Sequence, residues 1–146
     1  MNFKSLAIQN LKDYKLVRTG IENLRDKITD LEETIDGLRA TSYDMDKIIA
    51  PGKNTEEDRL IKAMDQVTVL KPALRYKERE LERMEKAFQI LTAEQRLILD
   101  RFHVNRPENH IDILCEELKI EKSQVYNLHD AALRAFTRAM YALVDG

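Results

Sequence analysis

Six side chains able to hydrogen-bond a polyanion or a base edge fall within one short stretch: Lys119, Lys122, Ser123, Gln124, Tyr126 and Asn127. Arg134 follows about two helical turns later. Gln and Asn can form paired hydrogen bonds with adenine, and Lys can reach guanine or a phosphate. Tyr126 can meet a phosphate or a thymine methyl, and Lys119 and Arg134 are spaced to meet a phosphate backbone. Interleaved with them, Val125, Leu128, Ala132, Leu133 and Phe136 keep a helical period and should point inward. Upstream, Ile111, Ile113, Leu114 and Leu118 keep the same period, and Lys119-Ile-Glu-Lys122 breaks it. The pattern predicts a helix, a tight turn and a second helix whose opening turns carry the polar group. That is the arrangement of a helix-turn-helix, which places its second helix in the DNA major groove.

Other chemistry is harder to find. His103, His110 and Cys115 have no spacing that makes a close ligand pair of the kind zinc sites use, so no metal and no cofactor is expected. Cys115 sits on the apolar side of its predicted helix and reads as a core residue. His129 reads as a packed histidine or a phosphate contact. No nucleophile–base arrangement, catalytic carboxylate pair or phosphate loop is present in the sequence, so an enzyme is not expected.

The elements that must position this group are legible in part. Thr92-Ala-Glu-Gln95 is a capping box opening a helix through Leu97, Ile98, Leu99 and Phe102. Asn105-Arg-Pro-Glu-Asn109 breaks it, and Asn109 is placed to cap the helix carrying Ile111 to Leu118. The last helix should run to about Ala142.

Residues 1–91 read as a helical arm. Tyr14, Val17, Ile21, Leu24, Ile28, Leu31, Ile35 and Leu38 alternate in steps of four and three. Mostly β-branched residues at one seam position and Leu at the other suit a parallel two-stranded coiled coil, so these residues are expected to join two copies of the chain. Gly20 and Gly37 weaken that helix by roughly 1 kcal/mol each relative to Ala. A second seam runs through Leu60, Ala63, Val67, Leu70, Leu74, Leu81, Met84, Phe88 and Leu91, interrupted by Lys77. Pro72 lies inside it and should kink or restart the helix. The segment between, about residues 40–55, reads as a loop with a turn at Pro51–Gly52 and a helix cap at Thr55. Two such helices can fold back as a hairpin within one chain or pair between chains, and the pattern leaves both open.

Composition agrees with long helices: 34% of the 146 residues are charged, with four Gly, three Pro and no Trp. The net charge is −2. Residues 92–146 carry seven basic and nine acidic groups, which counts against strong non-specific DNA binding. A single cysteine excludes an intrachain disulfide and suits a reducing cytoplasm. No signal peptide and no membrane span are expected.

Two resemblances sharpen the expectation. Residues 90–136 resemble the fourth region of bacterial primary-type sigma factors. The matching strings are Ile90-Leu-Thr-Ala-Glu-Gln-Arg-Leu-Ile-Leu99, Ile113-Leu-Cys-Glu-Glu-Leu-Lys-Ile-Glu-Lys-Ser-Gln-Val125 and Ala132-Leu133. Lys119 stands where that region has a turn glycine, and Glu121 where it has a serine cap. Residues 10–136 together resemble the ArpU/RinA-like phage transcriptional regulators of Gram-positive bacteria. That likeness rests on Leu38-Arg-Ala-Thr-Ser42 ending the first heptad helix, and on the Val125-Tyr-x-Leu-His-x-x-Ala-Leu133 string. It implies activation of late phage genes in a bacterial host.

The sequence therefore predicts an all-α chain. Long heptad-patterned helices, as coiled coil or hairpin, fill residues 1–91, and a sigma-like helix-turn-helix module fills 92–146. The expected partners are double-stranded DNA, a second copy of the chain and, for an activator, host RNA polymerase. A phage terminase small-subunit-like DNA-recognition protein, or a sigma-like module that binds RNA polymerase or another protein, fits the same features. The operator, the oligomer number and the choice between activation and repression are not written in the sequence.

Overall fold

The computed structural model describes residues 2–45 and 55–144, and the expected Pro51–Gly52 turn lies outside them. The described residues are mostly helical, joined by short turns, with no strand among them. Five helices follow in order: α1 (Phe3–Met45), α2 (Thr55–Gln89), α3 (Ala93–Leu99), α4 (His110–Leu118) and α5 (Lys122–Tyr141). A π-helical turn, Asp100–Val104, continues α3. The all-α expectation holds, and α2 begins at Thr55, where a helix start was expected.

Contacts divide the chain into two compact units: Met1–Arg18 with Glu80–Gly146, and Thr19–Arg79. This differs from a boundary at residue 91. The carboxy-terminal helices pack on the start of α1 and the end of α2 through Leu99, Ala132, Leu133 and Phe136.

In the Thr19–Arg79 unit, α1 and α2 lie antiparallel. Arg25 Nη2 meets Glu78 Oε2 at 3.3 Å, Glu32 Oε1 meets Lys71 Nζ at 3.1 Å, and Arg39 Nη2 lies 4.0 Å from Met64 Sδ. Each step of seven along α1 is thus matched by a step of seven back along α2, a heptad register read in opposite directions. Ile21, Ile28, Ile35 and Leu38 are buried, as is Ala63 on α2. The seam expected to face a second copy is therefore covered within one chain. A short connection brings α2 back at high effective concentration, so the apolar surface that argued for self-association through Tyr14–Leu38 is already out of water.

Pro72 does not restart α2, which is continuous from Thr55 to Gln89. The carbonyl that loses its donor belongs to Thr68, on the exposed side of the helix, where water can serve it. Lys77, the interruption in the seam, is exposed.

The other unit has two apolar clusters. One joins Ala7 and Leu11 of α1, Met84, Ala87 and Leu91 at the end of α2 and just beyond it, Leu99, and Ala132, Leu133 and Phe136 of α5. Tyr14 and Val17 pack against this cluster, and Tyr14 meets Phe88 edge-on at 6.0 Å. Asn10 Nδ2 donates to the Tyr141 hydroxyl at 2.6 Å, and Phe3 lies 5.1 Å from the Tyr141 ring, fastening the start of α1 to the end of α5. The second cluster, Ile98, Phe102, Leu114 and Val125, joins α3, the π-turn, α4 and α5. Ten of the thirteen buried residues of the two clusters are apolar positions of the sequence's own helical periods, so patterning accounts for their placement; Ala7, Leu11 and Ala87 lie outside those periods.

Candidate nucleic-acid interface

The start of α5 is set by how α4 ends. Lys119 takes the left-handed conformation, φ 56° and ψ 48°, which a glycine adopts without cost and a lysine does not. Its amide and that of Ile120 both turn back to the Cys115 carbonyl, at 3.3 Å for Ile120. Only Ile120 and Glu121 then remain before α5 begins at Lys122. The connection is as tight with Lys119 as the sequence pattern asks.

Glu121 is extended, φ −77° and ψ 159°, and caps α5. Its amide donates to Gln124 Oε1 at 3.0 Å, while the Gln124 amide donates to the Glu121 carbonyl at 3.0 Å. Gln124 is exposed, as a base reader must be, but its oxygen is already engaged within the chain. Its side-chain oxygen holds the helix start, and a paired contact with adenine would require giving that bond up.

The remaining predicted side chains stand in solvent. Lys119, Lys122, Ser123, Asn127 and Arg134 are exposed, and Tyr126 is 45% exposed. Val125 and Ala132 are fully buried and Leu128 packs on the second cluster, as their spacing required. Ser123, Asn127 and Arg134 fall on one face of α5, with Asp130 on the same side. Tyr126 meets Phe102 edge-on at 6.2 Å, so its ring is braced from below while its hydroxyl end reaches outward. This face offers one or two cations, a hydroxyl, an amide and a phenol on a rigid helix. It can donate to phosphates and exchange hydrogen bonds with a base edge.

Beneath it lies a group that the spacing of His103, His110 and Cys115 did not reveal. His103 and His129 meet Nε2 to Nε2 at 2.8 Å, and His129 Nδ1 lies 3.2 Å from Asp130 Oδ1. The His129 ring stacks on Phe102 at 4.1 Å, and His110 approaches Phe102 edge-on at 4.8 Å. Desolvation lowers the His103 pKa from 6.5 to about 4, helped by His129, Lys12, Arg106 and His110. Burial also lowers His129, against the pull of Asp130. His129 is thus the packed histidine of the two readings its sequence allowed. The π-turn is what brings His103 there: the Asn105 amide reaches five residues back to the Asp100 carbonyl at 2.7 Å. Asp100 steadies it further, accepting from Asn105 Nδ2 at 2.7 Å and pairing with Arg101 at 2.8 Å.

Cys115 is half-buried against the second cluster. Among the described residues, no three His, Cys, Asp or Glu side chains converge to hold a metal ion. No described helix is long and apolar enough to cross a membrane. The Thr92 capping box is formed in full, with the Thr92 amide donating to Gln95 Oε1 at 3.0 Å and the Gln95 amide to Thr92 Oγ1 at 3.1 Å. Asn109 precedes α4 but makes no side-chain cap, a correction to its expected role; its carbonyl accepts from Ile113 at 2.9 Å instead. No protein-family model, curated protein or solved structure matches the chain.

Proposed function

We propose that this chain is a sequence-specific DNA-binding transcriptional regulator, of the phage late-gene activator kind, in which α4 and α5 act as a helix-turn-helix. The observation that carries the reading is the division of α5 at its start. Val125 is sealed in the core while Lys122, Ser123, Tyr126 and Asn127 stand exposed on the first turns, behind a connection held tight at Lys119. A helix so presented can enter a major groove with its amino-terminal residues toward the bases. In this reading Asn127 reads a base, Lys122 and Tyr126 reach a base edge or the adjoining phosphate, and Lys119, Ser123 and Arg134 hold the backbone.

A second reading has its own support. Asp130 is exposed on the same face as Asn127 and Arg134, and residues 92–146 carry more acidic than basic groups. A face of mixed sign also suits a protein, and for a sigma-like module that protein is RNA polymerase. The two readings separate in a titration of the full chain against fragments of its own genome at several salt concentrations. A preferred fragment whose affinity falls steeply with salt supports DNA; equal, weak binding to every fragment supports the protein partner.

A further inference from the structure

The first turns of α1 bring cations to the start of α5. Ala7 and Leu11 are buried in the cluster that holds Ala132, Leu133 and Phe136 of α5. Phe3 and Asn10 lie to one side of them around α1, and both meet Tyr141, the last residue of α5. Lys4, Lys12 and Lys15 lie to the other side, within about 80° of one another, and all three are exposed. The start of α5 therefore emerges toward the lysine flank. Electrostatics agrees: Lys4 is close enough to His129 to lower its proton affinity, and Lys12 close enough to lower that of His103. Arg106, exposed in the loop after the π-turn, acts on His103 and His110 in the same way. These cations gather beside Phe102, the ring that stacks on His129 and braces Tyr126. Their charge is not cancelled locally. Residues 1–18 carry four basic groups and one acidic, Asp13, which accepts from Gln9 Nε2 at 2.9 Å. Asp100 is engaged by Arg101 and Asn105, and Asp130 by His129. Glu108 is exposed in the same loop as Arg106.

We propose that Lys4, Lys12 and Arg106 bind the phosphate backbone of duplex DNA along the Tyr126 side of α5, so that the first turns of α1 belong to the nucleic-acid interface. This rests on the reading of α5 as a recognition helix. A helix about 10 Å across nearly fills a major groove about 12 Å wide, so the two strands pass along its flanks. One flank of α5 carries Tyr126 and His129, and the three cations stand beside that flank. Ammonium and guanidinium groups suit a polyanion, because phosphate attraction tolerates flexible side chains and gains from counterion release. The acidic balance of residues 92–146 is then offset by charge that the fold brings in from α1.

The test is the salt dependence of binding by the full chain to a preferred and an unrelated fragment of its own genome. Lys4→Ala with Lys12→Ala should make the slope of log affinity against log salt shallower by about two units on both fragments, with their order kept. Arg106→Ala should remove about one more. Lys4→Arg with Lys12→Arg should keep the wild-type slope. Helix content and thermal midpoint at pH 7 should not change, because the three side chains are exposed. Lys27→Ala with Lys62→Ala, which removes two exposed cations from the Thr19–Arg79 unit, should leave the slope nearly intact. A wild type that binds no fragment overturns this proposal together with the recognition-helix reading. A steep wild-type slope that the Lys4 and Lys12 changes leave untouched, or that the Lys27 and Lys62 changes reduce equally, overturns this proposal alone and leaves α5 in the groove.

Discussion

His103 and His129 share one hydrogen bond, 2.8 Å between their Nε2 atoms, and that bond joins the π-turn after α3 to the second turn of α5. It has a definite polarity. Asp130 accepts from His129 Nδ1–H at 3.2 Å, which leaves His129 Nε2 as acceptor and makes His103 Nε2–H the donor. If both rings are protonated no acceptor remains, and two cations face each other near Lys12, Arg106, His110 and Lys4.

The folded state therefore resists protonation at this pair. His103 is held at about 4 where the unfolded chain has 6.5, so between those values the unfolded state binds more protons. Stability should be full above about pH 6.5, fall as the pH drops toward 4, and gain no further loss from His103 below that. His103→Gln keeps an N–H donor and removes the titration. Thermal midpoints measured from pH 7 to pH 4 should fall less steeply for His103→Gln than for the wild type. Parallel curves would show that His103 does not carry the acid loss.

Gln124 and Asn127 should behave differently although both looked like base readers. Gln124→Ala removes the bond from the Glu121 amide and should cost roughly 0.5–2 kcal/mol of stability, with Gln124→Glu largely restoring it. Asn127→Ala should leave stability unchanged, because its side chain is exposed. In the DNA reading it should lower specific affinity by about 1–3 kcal/mol. Chemical denaturation beside fragment binding separates the two effects.

How far the sequence reached can be judged at these residues. Val125, Leu128 and Ala132 were legible because helical periodicity reports burial directly, and the Thr92–Gln95 box because its spacing fixes both bonds. Gln124 was not, since a cap formed from an Asn or Ser signature is familiar and one completed by Glu121 is not. The His103–His129 pair is separated by 26 positions and depends on a π-turn that no local pattern announces. The seam of α1 was legible as a seam, but not its partner, because a heptad repeat pairs as well with α2 as with another chain.

Gly20 and Gly37 lie inside α1, and a Cβ added at either meets nothing within 4 Å. Neither needs the freedom of glycine. Gly20→Ala and Gly37→Ala should each stabilise the chain by roughly 0.5–1 kcal/mol, read as a raised denaturation midpoint. A lower midpoint would mean that the helix is interrupted there.

Ile28→Asp with Leu31→Asp should unfold rather than merely separate subunits. Ile28 is 7% exposed on the face of α1 packed against α2, where a carboxylate would be taken out of water. Burying that charge should cost several kcal/mol. Circular dichroism should show lost helix or a much lower thermal midpoint. A folded double variant with an unchanged midpoint would return the seam to an interface between chains.

The phosphate contacts make the last prediction. Arg134 lies about two turns beyond Asn127 on the same exposed face of α5, and Lys119 sits at the turn. Neither is at the position where a recognition helix reads bases, so each should act through the backbone alone. Arg134→Ala should weaken every DNA fragment alike and keep the order of preference. The slope of log affinity against log salt should become shallower by about one unit, because one fewer counterion is released. Arg134→Lys should recover most of the slope, since phosphate attraction needs only the charge. Asn127→Ala should do the reverse, leaving the slope and flattening the preference. Slopes measured on a preferred and an unrelated fragment, for wild type and the three variants, decide the matter. An Arg134→Ala that changes preference but not slope would place Arg134 on the bases, and one that changes neither would take α5 out of the groove.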